Sequence, residues 1–196
     1  MVTQDPFLFC VYHKDQYPAG NAKMEAPPTG NGQDFNPAAD YRMYHGEKIP
    51  AFPQHPHRGF ETITSTMEGI IDHADSMGNS GRYGEGDVQW ITAGAGVVHS
   101  ETFPLIKQKQ ANPTRFCQLW LYLPSSNKMV KPGFAMFWAN EIPKWCSPDG
   151  KAAVTVWAGQ YFGVDKNNNP PPDSWATDCH NNGTVQTLPA QGPNVK

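Results

Sequence analysis

Two short pairs of residues carry the chemistry of this sequence: His55-Pro-His57 and His99-Ser-Glu101. In an extended strand, side chains at i and i+2 leave from the same face. His55 and His57 can therefore point together, and so can His99 and Glu101. If the two segments pair, or face each other across a barrel, three imidazoles and one carboxylate converge. Neutral imidazole and carboxylate are ligands for borderline divalent metals such as iron, nickel, copper, manganese and zinc. Four protein ligands in a six-coordinate shell leave two positions for water or substrate, and an open position is what a catalytic metal requires.

The elements that must hold these residues read as short strands. Residues 60–67 are rich in strand formers and stop at Glu68-Gly69. Residues 70–74 follow, then the turn clusters 77–81 and 84–87, then strand candidates at 88–92 and 97–101 on either side of Gly94-Ala-Gly96. Residues 115–123 alternate with both faces apolar, as in a strand buried on two sides. Residues 152–158 are the last strand candidate. Short strands with Gly-marked turns predict an all-β sandwich or barrel. Residues 18–53, rich in Pro, Gly, Asn and Asp, read as one long loop, either an insertion or a lid.

Composition narrows the function classes. The chain has 196 residues, with 15 Lys+Arg against 18 Asp+Glu and a formal net charge of −3. A nucleic-acid binder with a dominant basic face is not expected at that balance. With 18 Gly and 19 Pro beside 12% aromatic residues, the chain suits many short elements around a core rather than long helices. No apolar run approaches the length of a membrane helix, and no basic region precedes the short apolar run at 7–11, so neither a membrane span nor a signal peptide is expected. Cys10, Cys117, Cys146 and Cys179 are widely spaced without a CxxC. A zinc knuckle is excluded and a disulfide framework is not expected, which points to a reducing compartment, cytoplasmic or nuclear.

Two longer segments carry a family resemblance. His55-Pro-His-Arg-Gly-Phe-Glu-Thr62 and Gly86-Asp-Val-Gln-Trp-Ile-Thr-Ala-Gly-Ala-Gly-Val-Val-His-Ser-Glu101 resemble the signature of the pirin family of the cupin superfamily. Asp5-Pro-Phe-Leu8, Leu119-Trp-Leu, Ser126-Asn-Lys-Met129 and Glu141-Ile-Pro143 resemble it too. The resemblance implies a cupin-type antiparallel β-barrel, or jelly roll, over 1–158, with 159–196 an irregular tail towards a second cupin that this chain does not include. It implies a metal, usually iron as Fe(II) or Fe(III), on His55, His57, His99 and Glu101. It implies dioxygenase activity of the quercetinase kind on a flavonol-like small molecule, with Glu101 as catalytic proton acceptor. Two alternatives stand beside that: a nuclear redox-sensing co-regulator that meets a transcription factor without catalysis, and an inactive truncated paralogue. Association through an apolar surface left by the missing second cupin is a further expectation.

Other residues receive plainer readings. Glu61, four residues after His57, is read as structural or supporting rather than a ligand. His73 is expected to be solvated in a polar turn. His13, His45 and His180 lie in poorly patterned segments, with His45 near the mouth of the site. Arg58 reads equally as a carboxylate-orienting group and as a surface arginine. Phe60, Trp90 and Trp120 are expected in the core, and Cys117 as a small buried hydrophobe.

Overall fold

The computed structural model describes residues 3–27, 36, 38–162, 164–166 and 170–174. Among them there are thirteen strands and no helix, as the strand-and-turn pattern predicts. The first nine form two antiparallel sheets. One sheet holds β1 (Phe7–Tyr17), β8 (Asn112–Tyr122), β3 (Phe60–Glu68), β6 (Val88–Thr92) and β9 (Gly133–Phe137), in that spatial order. The other holds β2 (Ala51–His57), β7 (Val97–Thr102), β4 (Ile70–Asp75) and β5 (Ser80–Gly84), in that order. Two small hairpins follow, β10 (Lys144–Cys146) with β11 (Ala153–Thr155), and β12 (Gly159–Tyr161) with β13 (Val164–Lys166).

The two large sheets share their cores. Ile71 of β4 and Tyr83 of β5 pack with Phe116 of β8, and Tyr44 and Phe103 complete that cluster. Ile91 of β6 packs with Val97 of β7. The five-stranded sheet is also covered on its outer face. There Ile63, Val88, Trp90 and Phe137 meet Ile142, with Leu119, Leu121 and Trp157 against them. Burial on both faces explains why 115–123 carries apolar side chains on each of them. Each large side chain so buried contributes roughly 1.5–3 kcal/mol of transfer free energy. This is the all-β, antiparallel jelly-roll architecture that the sequence predicts.

Several boundaries differ from expectation. The short apolar run at 7–11, to which the sequence assigns no element, is the first part of β1, which runs on to Tyr17 and is the longest partner of β8. The loop expected over 18–53 ends earlier, because β2 begins at Ala51. Its described residues also lie against the body: Tyr17, Ala26, Met43 and Leu105 form a buried cluster, and the Ala26 amide donates to the Lys48 carbonyl at 2.8 Å. The strand expected at 152–158 shrinks to β11, and Trp157 and Ala158 pack against the outer core instead. The stretch from 159, expected to be irregular, opens with the β12–β13 hairpin.

Candidate metal centre

β2 is an edge strand, so it tolerates two prolines. Pro53 and Pro56 have no amide hydrogen to give, and only an edge or a bulge excuses that. In the β2–β7 pairing Phe52 lies opposite Glu101 and His55 opposite His99, with a register shift between them. The extra residue on β2 is a bulge at Pro53-Gln54. It lets Phe52 and His55 face the same side although they are three apart. His57 follows by ordinary alternation. On β7, His99 and Glu101 share the same inward face as Val97.

The turn before β7 depends on Gly94, at φ +48. A Cβ there would stand 2.2 Å from the Val130 carbonyl oxygen. The Gly94 carbonyl accepts the Gly59 amide at 2.8 Å, which ties the end of the His55–His57 segment to the start of β7.

His55, His57 and His99 each offer a ring nitrogen, and these three nitrogens lie within 4.8 Å of one another. His55 donates Nδ1–H to the Pro53 carbonyl at 2.7 Å, so Nε2 carries its lone pair. His57 Nε2 and His99 Nε2 are buried without any hydrogen-bond partner among the described residues. A buried polar atom without a partner costs about 1–3 kcal/mol. Orphaned imidazole nitrogens aimed at one point are what a bound metal would satisfy, so the residues fit a metal ion. Burial holds the His57 imidazole down at about 4, helped by His55. Burial holds His99 at about 3, helped by His55, His57 and His73. Both rings are therefore neutral near pH 7, the form that ligates.

Glu101 lies on the same face and lines the same cavity, but its carboxylate is outside that close group of nitrogens. It is 2% exposed. Burial raises its carboxyl to about 7, against the opposing bonds from Gln118 and from Tyr83, whose hydroxyl donates at 3.5 Å.

His73 departs from expectation. It is buried, not solvated, because β4 sits beside β7 in the interior rather than in a turn. Its Nδ1 lies 3.5 Å from His99 Nδ1, and its Nε2 lies 3.1 Å from Asp75 Oδ2. Asp75 is fixed in turn by the amides of Met77 and Asn79. The sequence signal available was alternation: His73 and Asp75 are i and i+2 on one strand face.

A cavity of about 850 Å³ is lined by His55, His57 and Glu101 but not by His99. Phe60 and Trp120, expected in the core, form part of its wall: their rings are 4.8 Å apart and stand 5.1 and 5.3 Å from His57. Trp90 is in the outer core, as expected. Arg58 is exposed at the rim and donates to the Met129 sulfur at 3.7 Å. His45 is exposed at the mouth. His13, unremarked by pattern, belongs to β1 and lines the same cavity. Glu61 points the other way, to the outer face that Ile63 and Trp90 share. Cys117 is half-buried on the outer face rather than fully buried. Cys179 and His180 lie outside the described residues.

Comparison with known proteins agrees with this picture. The Pirin family profile matches residues 3–121. The chain is 38% identical to human Pirin over 133 residues, covering 67% of this chain and 43% of that protein. It is 41% identical to a Pirin-like protein of Caulobacter vibrioides over 126 residues, covering 64% of this chain and 41% of that one. It thus spans about two fifths of the length of these curated relatives. Among solved structures, a quercetin 2,3-dioxygenase from Acinetobacter baumannii superposes with a TM-score of 0.62 at 30% identity, covering 85% of this chain and 50% of that one. With a family match over more than half its length and the barrel and histidine set in place, this chain belongs to the Pirin family.

Proposed function

We propose that this chain is a metal-dependent site for a hydroxylated aromatic small molecule, acting as a flavonol dioxygenase. His55, His57, His99 and Glu101 hold the metal, which is iron. The observation that carries the reading is the convergence of two orphaned, neutral, buried imidazole nitrogens, of His57 and His99, with the His55 ring, two of the three histidines also lining an apolar cavity. Glu101 completes the donor set from the same strand face as His99. A bound metal would offer an open position to a ligand hydroxyl and lower the pKa of that hydroxyl.

The chain's own residues do the rest. Phe60 and Trp120 present a wall on which an aromatic ring can stack. A ring seated against these largely apolar walls would displace water from them, which strengthens polar contacts there. Glu101, with a carboxyl near 7, can hold a proton whenever it is not ligating. The concave, apolar cavity favours a small molecule over a protein partner.

Elemental analysis of the purified protein beside His99→Ala and Glu101→Ala tests the site. One equivalent of iron is expected in the wild type, with loss in both variants. The loaded protein should then consume dioxygen with quercetin. A folded wild-type protein without metal would sink the assignment, and full metal without turnover would sink the enzymatic part.

A further inference from the structure

One wall of the same cavity carries a polar chain that the metal donors do not use. His13 of β1 faces the cavity beside Val11. Its ring stacks on Phe116 at 4.4 Å between centroids and meets Tyr44 and Phe52 edge-on at 5.3 and 5.6 Å. His13 Nδ1 lies 2.8 Å from the Tyr44 hydroxyl oxygen. Tyr44 donates its single proton to Asp15 Oδ2, also at 2.8 Å. The Tyr44 oxygen can therefore only accept from His13, which places the ring proton on Nδ1 and the lone pair on Nε2. Asp15, 1% exposed, also accepts from the Arg42 guanidinium at 3.2 Å. Among the described residues Nε2 has no protein partner. A base within reach of the cavity, oriented by a second group that is oriented by a third, is the arrangement of an activated proton acceptor.

We propose that His13 accepts the hydroxyl proton of the aromatic ligand bound in this cavity. This rests on the reading of the cavity given above, and separates two duties that Glu101 would otherwise carry alone. In the step, the ligand O–H bond breaks and the Nε2–H bond of His13 forms. The ligand oxygen keeps the electron pair. The imidazolium charge is stabilised through Nδ1–H on Tyr44 and through Tyr44 on the Asp15 carboxylate.

The groups around the ring support this. From its own strand it faces Asp15. From the segment before β2 it faces Tyr44 and Arg42. From β2 and β8 it meets apolar Phe52 and Phe116, and Glu101 lines the cavity on β7. Burial and the Arg42 charge hold the His13 imidazole down at about 4, so it is neutral and able to accept at neutral pH. An anion formed opposite it reverses that electrostatic sign and favours the protonated ring.

The test uses iron-loaded protein and quercetin as probe, because the flavonol anion absorbs at longer wavelength than the neutral form. Wild type is compared with His13→Gln and Tyr44→Phe at matched metal content and melting midpoint. Gln keeps a donor for Tyr44 but cannot take a proton. The expected result is that the bound probe ionises at lower pH in the wild type. Its apparent acid constant should fall at least about tenfold in His13→Gln and by a smaller factor in Tyr44→Phe. Equal ionisation in all three proteins overturns the proposal while leaving the cavity reading intact. If the wild type binds no quercetin, the cavity reading fails and this proposal falls with it. Should His13→Gln melt early, Tyr44→Phe decides alone, with an unshifted constant overturning the proposal.

Discussion

The proton positions on two rings decide whether His99 can bind a metal. Burial works to raise the Asp75 carboxyl, but bonds from Asn79, His73 and the backbone outweigh it and hold it below the ordinary value. The ionised carboxylate accepts Nε2–H of His73. That leaves the His73 Nδ1 lone pair to face Nδ1–H of His99, and so turns the His99 Nε2 lone pair towards His55 and His57. Supporting bonds of this kind are worth about 10–100-fold in metal affinity. Asp75→Asn and His73→Phe should each weaken iron binding by about that factor in a competition titration with a chromogenic chelator. Unchanged affinity in both variants would show that the ring of His99 needs no such support.

At the scale of the element, strand parity separates two glutamates that look equivalent by proximity to histidine. On β3, Glu61 pairs with Thr92 of β6, on the same face as Ile63 and Trp90. That is the outer face. Glu61 is fully buried there and accepts the Thr92 hydroxyl at 2.7 Å. Burial raises its carboxyl, opposed by bonds from Ser174 and Thr92. Thr62 and Thr64, one residue to either side of Ile63, take the opposite face with Gln118 and Trp120. Glu61→Gln should therefore leave the metal content of the purified protein unchanged, whereas Glu101→Gln should lower it. Loss of metal in the Glu61 variant would mean that the register of β3 is misassigned. The bulge at Pro53-Gln54 is the complementary device, since one extra residue brings Phe52 and His55 to a single face that simple alternation would have split.

For the whole molecule, the site is built at the seam of two sheets, so its ionisation is coupled to folding. His13, His57 and His99 have folded values of about 4, 4 and 3 against an ordinary 6.5. Below pH 6.5 the unfolded chain binds protons there that the fold refuses. Their contribution to stability is thus present above 6.5 and lost as the pH falls towards those folded values. Glu101, raised to about 7 from 4.5, acts in the opposite sense, and its contribution is lost as the pH rises from 4.5 to 7. Asp15 and Glu61, raised by burial, act with Glu101, and Asp75, held low, acts with the histidines. The share of each histidine is read by removing it: as metal-free protein is taken from about pH 6.5 to 4, the melting midpoint should hold up better in His13→Gln than in the wild type. An identical pH dependence in both proteins would contradict the burial of the His13 ring as a neutral group. No helix among the described residues is long and apolar enough to cross a membrane.

What the sequence determined by itself is local and periodic. The i, i+2 spacing of His55 with His57 and of His99 with Glu101, the Gly-punctuated strands and the two family-like segments were enough for the barrel and for the four candidate ligands. Alternation within a strand is set by covalent geometry, so it can be read without knowing the partner strand. What only the tertiary structure decided is which faces meet. His13 sits more than forty residues before His55, in a segment whose pattern betrays nothing, and reaches the cavity only because β1 pairs with β8 beside Gln118. His73 looks like a turn residue until β4 lies against β7. Trp120 and Phe60 look like core until the cavity opens beside them. Glu61 and Glu101 become distinguishable only when the faces of their sheets are known. Sheet register and sheet packing are long-range choices, made by the burial of many side chains at once, and no short stretch of sequence contains them.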